Sequence, residues 1–423
     1  MKIINTCDTV KTLFADGFDL QTWRQYAGAV SKELPVKCEN DAKEYDFEKD
    51  ALPVLNNSLQ ADKIDLVSDS FQSVAATLQE NLSNLFDTEP DINIILYLGL
   101  CNGAGWATTL DGQDTVLLGV EKIIELDWGD ETNMRALILH EIGHLWHKHN
   151  GNLHIPEFTK RRKGISQLYC EGVAMVCEHI LCGDDDFYHQ DKNGWLDWCY
   201  KNENEIKREY LHRLDAGKSV QDFFGDWCSY DGHSDVGYFL GCHFVHFLMK
   251  THSLKEIANM KYKSLNKAFA EFANTVIEPL AIEDYHKCEN IWNMLAQPLA
   301  DTWKDEIASG TRLVFIYKIN GEFIGEGALV LHTDDPDYTI PDRRVYVSRM
   351  IVKKEYRNQG IGSEILAFLI RKAKELGYTE MTIGVDKDNT AALHLYRKYG
   401  FTEVLFDGKD EDGEYYKLMK VCH

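Results

Sequence analysis

His140, Glu141 and His144 stand in the run His140-Glu141-Ile142-Gly143-His144, within a stretch, 134–147, that reads as a helix. Residues four apart lie one turn apart on one helix face, so both imidazoles can reach a single metal ion. Glu141 sits beside the first of them, where its carboxylate can face a water polarised by that metal. HExxH is the pattern of a hydrolytic zinc site. Zinc lowers the pKa of bound water to about 7, and a neighbouring carboxylate can take the proton and deliver it to a leaving amine.

Such a site needs a third protein ligand and one open position. Position 150, ten residues after His140, is asparagine rather than histidine. Glu171 is the better candidate, 27 residues after His144 on a second helix expected over about 166–182. Gly172 and Ala174 beside it allow two helices to approach closely. Zinc is thus expected on His140, His144 and Glu171. Glu178, two turns from Glu171, can orient a ligand histidine from behind. Tyr238 and His233 are candidates to stabilise an oxyanion; the other reading of Tyr238 is the cap of a core helix. His147 and His149 read as solvated residues at a helix end. His154, His179, His243 and His246 read as packing or surface histidines. Cys170 and Cys177 read as packing residues on a buried helix rather than soft ligands.

Stepping along the chain gives the elements that position these groups. Residues 1–90 read as helices, with apolar spacing near 3.6 over 71–86. A strand pattern at 92–100 leads into a glycine-rich turn, 102–105, and a second strand, 114–120. Asp130 or Thr132 can cap the metal helix. A third apolar helix spans about Val236–Met249. After Asn274 the period changes. A strand (276–280), two helices (282–294 and 297–309) and three strands (313–319, 323–331 and 344–352) follow. Then come a helix (362–376), a strand (380–385), a helix (390–399) and two strands ending near Val421. The boundary is expected near 274, giving domains 1–273 and 274–423, with no Pro- or Gly-rich linker between them.

The second chemical constellation is Arg357-Asn358-Gln359-Gly360-Ile361-Gly362, between a strand and a helix. Glycines there turn backbone N–H groups toward one point at a helix N-terminus, which makes a pyrophosphate cradle. The three-glycine dinucleotide fingerprint is incomplete, because Ile365 stands where its last glycine belongs.

Composition narrows the classes of partner. A chain of 423 residues with a net charge of −23 does not suit a nucleic-acid backbone or an anionic membrane surface. No run of 18 apolar residues offers a spanning helix. The N-terminus lacks the pattern of a signal peptide. Eleven cysteines without a Cys-x-x-Cys pair read as reduced thiols of a cytoplasmic protein.

Two resemblances extend this reading. The stretch 352–362, followed by Asn389-Thr390-Ala391-Ala392-Leu393-His394-Leu395-Tyr396-Arg397-Lys398-Tyr399-Gly400-Phe401, resembles the GNAT acyl-CoA N-acyltransferases, with the likeness covering about 274–423. It implies acetyl-CoA, its pyrophosphate on the backbone of Arg357, Asn358, Gln359, Gly360, Ile361 and Gly362. Pantetheine would lie along Met350, Ile351 and Val352, with Asn389 touching the cofactor arm and Tyr396 protonating the leaving thiolate. Glu326 and Asp386 are candidate bases or plain surface acids. The acidic loop Asp334-Asp335-Pro336-Asp337 could attract a cationic amine or be a solvated turn, and 407–414 reads as a hairpin turn.

The first half, over about 90–250, resembles predicted zinc-dependent peptidases of the gluzincin type. The matching parts are the strand-turn-strand at 96–120, the HExxH run, Glu171-Gly172-Val173-Ala174 and Gly237-Tyr238. The HEIGH-type motif is also similar to that of the ImmA/IrrE regulatory peptidases. The resemblance implies zinc on His140, His144 and Glu171 with Glu141 as base, and gives no substrate.

The expected fold class is α+β in two domains: a mostly helical gluzincin-like metallopeptidase domain with a small β-sheet, then a GNAT mixed-sheet α/β domain. The expected function is bifunctional, with acetyl-CoA-dependent acetylation of a small-molecule or peptide amine and zinc-dependent peptide hydrolysis. The alternative is an acetyltransferase fused to a non-catalytic zinc-containing binding or regulatory module.

Overall fold

In a computed structural model the chain divides into two compact units, Met1–Phe269 and Ala270–His423. Every residue is described except 88, 154, 411, 412 and 423, together with the side chain of Asn81. His154 therefore lies outside the described residues, as does the tip of the 407–414 loop.

The first unit wraps helices around a four-stranded sheet. Its strands are β1 (Lys2–Asn5), β2 (Asn93–Tyr97), β3 (Gly105–Leu110) and β4 (Gln113–Gly119), in the order β1-β2-β4-β3. β2 runs parallel to β1 and β4, while β3 and β4 form an antiparallel hairpin. The hairpin turns on Asp111 and Gly112, with φ of 49° and 79°. Two left-handed residues match the twist of the flanking strands, which explains the Asp-Gly pair. Two expectations are corrected here. The N-terminus opens with a strand rather than a helix, because Ile3 and Ile4 pair with Ile94 and Ile95. The glycine-rich turn runs straight into a strand, since Gly105–Leu110 finds its partners on β4.

Helix α1 (Ala61–Thr77) packs against α2 (Glu131–Asn150). Asp130 caps α2, its carboxylate accepting from Thr132 N at 2.9 Å and Asn133 N at 3.0 Å. Such a cap stabilises a helix by about 1 kcal/mol. Ile138 and Ile142 enter the core with Leu96 and Leu117, which turns the offset positions 140 and 144 to another face. Helix α3 (Lys160–Cys182) begins six residues before the sequence expectation. Thr159 accepts from Arg162 N at 3.2 Å, so the basic run is the first turn of the helix rather than a connection. Helices α4 (Trp195–Asp215) and α5 (Val236–Met249) complete the frame.

The second unit is built on a mixed sheet of β5 (Thr275–Pro279), β6 (Arg312–Ile319), β7 (Glu322–Val330), β8 (Arg344–Val352), β9 (Glu380–Asp386), β10 (Glu403–Lys409) and β11 (Glu414–Val421). The order is β10-β11-β9-β8-β7-β6-β5, and only β8 and β9 pair in parallel. Helices α6 (Ala300–Ser309), α7 (Ile361–Glu375) and α8 (Thr390–Lys398) accompany it. The segment Ile282–Asn290 is 3-10 helical rather than the expected α-helix. α7 packs on β7. At Gly327 a Cβ would crowd Ile365 and Leu369 of that helix, so glycine lets it sit close to the sheet. Among the described residues no helix is long and apolar enough to cross a membrane.

Candidate functional sites

In the first unit the distant acid meets the histidine pair. Glu171 Oε2 lies 3.4 Å from His140 Nε2 and 3.3 Å from His144 Nε2. The three donor atoms fall within 4.8 Å of one another. Close helix packing makes this possible. A Cβ on Gly143 would stand 2.9 Å from the Ala174 carbonyl, so α2 and α3 touch backbone to backbone beside these three side chains. Gly172 has a different neighbour from the one anticipated. It faces α5, where a Cβ would overlap the Gly241 carbonyl.

Behind His140 runs a buried chain of hydrogen bonds. Glu178, fully buried, accepts from His140 Nδ1 at 3.1 Å and from His189 Nδ1 at 3.1 Å. Gln190 Nε2 lies 3.0 Å from His189 Nε2 and donates to it. The His140 ring thus meets a carboxylate at each nitrogen, Glu178 at Nδ1 and Glu171 at Nε2; burial lowers its pKa, but the two carboxylates outweigh that and raise it to about 10. Glu178 holds the ring's orientation, as a carboxylate behind a metal-binding histidine does. His189 and Gln190 were missed in the sequence, because they lie outside the helices and carry no spacing signal.

Glu141 turns toward the edge strand. Its Oε2 accepts from Ala107 N at 2.7 Å, and any side chain at Gly105 would collide with its carboxylate. These groups line a cleft of 580 Å³ that also includes Tyr238, Asp235 and Trp227. Tyr238 sits with its ring 5.6 Å from that of His140, and burial pushes its hydroxyl pKa well above 10. His233 is not on the cleft wall. It stacks on Trp198 at 3.8 Å. His147 corrects another expectation: it is fully buried, not solvated. Its Nε2 lies 2.9 Å from Tyr169 Oη, whose own hydrogen goes to Ile257 O at 2.9 Å. Burial lowers its pKa to about 3. His149 is exposed and paired with Asp114. His179 is buried, His243 meets Glu203 at 3.1 Å, and His246 is half-buried. Cys177 is buried, and Cys170 donates to Leu153 O at 3.0 Å.

In the second unit the parallel strands part. β8 and β9 pair from Arg344↔Glu380 to Val347↔Ile383 and no further. Met350, Ile351 and Val352 therefore leave their β9-facing side unpaired by strand. Arg349 has a φ of 54°, and the β7–β8 register shifts between Glu326 and Ala328. Beyond β8, Asn358 and Gly360 adopt φ of 62° and 80°. Gly360 begins α7 without any side-chain cap, so N–H groups of the first turn stay available to an anion. Arg357 Nε donates to Val352 O at 2.9 Å, and Gln359 Nε2 to Glu355 O at 3.2 Å, which holds the loop against the strand end. The open strand and uncapped helix end fit the pantetheine and pyrophosphate of acetyl-CoA.

Asn389 caps α8, its side-chain oxygen accepting from Ala392 N at 3.2 Å. Tyr396 is buried in the domain core, and burial raises its pKa to about 12. Glu326 is not a surface acid. It is buried, accepting from Arg349 Nε at 2.8 Å and Trp292 Nε1 at 2.9 Å. Asp386 is exposed at the end of β9. Lys417 Nζ answers Asp335 at 2.5 Å and Asp337 at 3.1 Å, so one lysine holds two of that loop's three carboxylates.

Residues 278–401 match the model of the acetyltransferase (GNAT) family. The C-terminal unit thus contains a GNAT acetyltransferase domain. Among similar proteins is the alpha/beta-tubulin-N-acetyltransferase 9 of Drosophila melanogaster, 28% identical over 30% of this chain and 62% of that protein. Another is the N-alpha-acetyltransferase MAK3 of Arabidopsis thaliana, 28% identical over 31% of this chain and 69% of the relative. A GNAT family acetyltransferase from Elizabethkingia anophelis, solved with acetyl-CoA bound, aligns at 22% identity and a TM-score of 0.27, covering 35% of this chain and 98% of that one.

Proposed function

We propose that this chain transfers an acetyl group from acetyl-CoA to an amine in its C-terminal domain and hydrolyses peptides at a zinc site in its N-terminal domain. The acetyl transfer rests chiefly on the parting of β8 and β9 beside an uncapped helix N-terminus. Backbone N–H groups of 357–362 bind the pyrophosphate, the free side of Met350–Val352 pairs with pantetheine, and Asn389 contacts the cofactor arm. The amine nitrogen attacks the thioester carbonyl, the C–S bond breaks, and Tyr396 gives its proton to the departing sulfur; the proton shed by the attacking nitrogen goes to solvent, from which the Tyr396 phenolate is reprotonated. Held to about pH 12, that proton is present throughout the working range. Arg349 and Trp292 occupy the Glu326 carboxylate and make it a poor base.

The hydrolytic proposal rests on the convergence of His140, His144 and Glu171 on one point. A bound zinc would supply Lewis acidity that makes a water molecule a competent nucleophile near neutral pH. Glu178 sets the His140 tautomer. Glu141 takes the proton from the attacking water and passes it to the leaving amine, and Tyr238 donates to the oxygen that gains charge. Eleven free thiols suit a reducing compartment such as the cytoplasm.

Two assays test the pair. Free thiol released from acetyl-CoA across a panel of amines reports the transferase; no release with any amine class refutes it. Zinc content and peptide cleavage by wild type and Glu141→Gln report the other half. Equal zinc with cleavage only in wild type is expected. Zinc without cleavage in either protein returns the first domain to a binding or regulatory role.

A further inference from the structure

We propose that a second metal ion, of the zinc class, binds between α3 and α5 on His179, Cys242 and His246. His179 lies in the last turn of α3, while Cys242 and His246 stand four residues apart on one face of α5. One donor atom from each lies within 4.8 Å of the other two. Cys242 Sγ is 3.7 Å from His179 Nδ1. A nitrogen and a sulfur held tetrahedrally by one zinc are about 3.5 Å apart. The His179 and His246 rings lie 6.2 Å apart, 28° from parallel.

Ordinary packing leaves His179 unexplained. It is 1% exposed, and its Nε2 has no well-formed hydrogen bond. A buried polar atom in that state costs about 1–3 kcal/mol. The imidazole's contact with Cys242 is a weak sulfur hydrogen bond at Nδ1, which a metal ion between the two atoms would replace. Two acids put negative charge near the cluster, the buried Glu178 next to His179 in sequence and the exposed Asp185 in the turn after α3. On binding, the Cys242 thiol gives its proton to solvent as the sulfur–metal bond forms. The thiolate then offsets one unit of a divalent charge. Mixed nitrogen and sulfur donors select zinc-like ions over magnesium or calcium. The ion would brace two helices whose crossing at Gly172 and Gly241 lies about 10 Å away along α3.

Sulfur separates this site from the first, whose donors are two nitrogens and an oxygen. The full chain, stripped by chelator and reloaded with Co²⁺ alone, should show a sulfur-to-cobalt charge-transfer band in the near ultraviolet. The band should persist in a His140→Ala/His144→Ala double variant, disappear in Cys242→Ser, and require at least ~10-fold more cobalt in His246→Gln. A folded wild-type protein without the band overturns the proposal whatever the variants do. So does a band that survives Cys242→Ser, which places the ion on another thiol, or one lost with His140 and His144, which places it at the first site.

Discussion

Replacing Glu178 by glutamine removes one negative charge and one accepting oxygen with almost no change in volume, and it should weaken zinc binding at His140 markedly. The wild-type carboxylate accepts two hydrogen bonds, each 3.1 Å long, from His140 Nδ1 and His189 Nδ1. Glutamine offers one accepting oxygen and one donating NH₂. Whichever imidazole faces the NH₂ must present a bare Nδ1 and move its hydrogen to Nε2. For His189 that hydrogen would point at Gln190 Nε2, 3.0 Å away, setting donor against donor unless the Gln190 amide turns over. For His140 it would occupy the Nε2 lone pair that a bound zinc would need. Either solution costs a buried partner, and loss of such an outer carboxylate typically lowers metal affinity 10–100-fold. That is about 1.4–2.8 kcal/mol. Chelator competition on folded wild-type and variant protein measures it directly. Equal zinc affinity in Glu178→Gln would refute the proposed role of Glu178 in setting the tautomer.

Three further outcomes are expected. Gly360→Ala forces a side chain into φ of 80°, at a cost of about 1–2 kcal/mol; calorimetry should show correspondingly weaker acetyl-CoA binding, and an unchanged Kd would remove the loop from pyrophosphate recognition. Tyr396→Phe should lower kcat by about 10²-fold or more while leaving the shape of the pH profile up to pH ~9 unaltered, because the wild-type hydroxyl stays protonated to about pH 12. His147 carries a pKa lowered by burial from 6.5 to about 3. Its contribution to stability is complete above the unfolded value and declines as pH falls below it, at most ~1.4 kcal/mol per pH unit. Urea unfolding at about pH 6.5 and 5 should therefore lose ~1–2 kcal/mol more in wild type than in His147→Gln, and parallel losses would contradict the assignment.

Much of the second domain can be read from the chain because its signals are local. Alternating strands, the Gly360 turn and the α8 cap at Asn389 all lie within a few residues of what they organise. The approach of Glu171 to His140 and His144 was legible for another reason: a helix pattern with small neighbours marks a close crossing, although Gly172 turned out to serve α5 and not α2. What escaped depends on distant pairing. β1 has only four residues and exists through its pairing with β2. His147 occupies a helix end that is solvated in an isolated helix and covered here by Tyr169 and Ile257. The Gln190–His189–Glu178 relay joins a helix to a loop, and no periodicity records it.

Glu171 adjoins Gly172, and Tyr238 lies one turn before Gly241. One backbone junction therefore sets both the Glu171 carboxylate and the Tyr238 phenol in the cleft wall. Tuning either alone by moving its helix is mechanically forbidden. A bulkier residue at 172 or 241 would drag both parts off station together, so metal retention and turnover should fail as a single event rather than in stages.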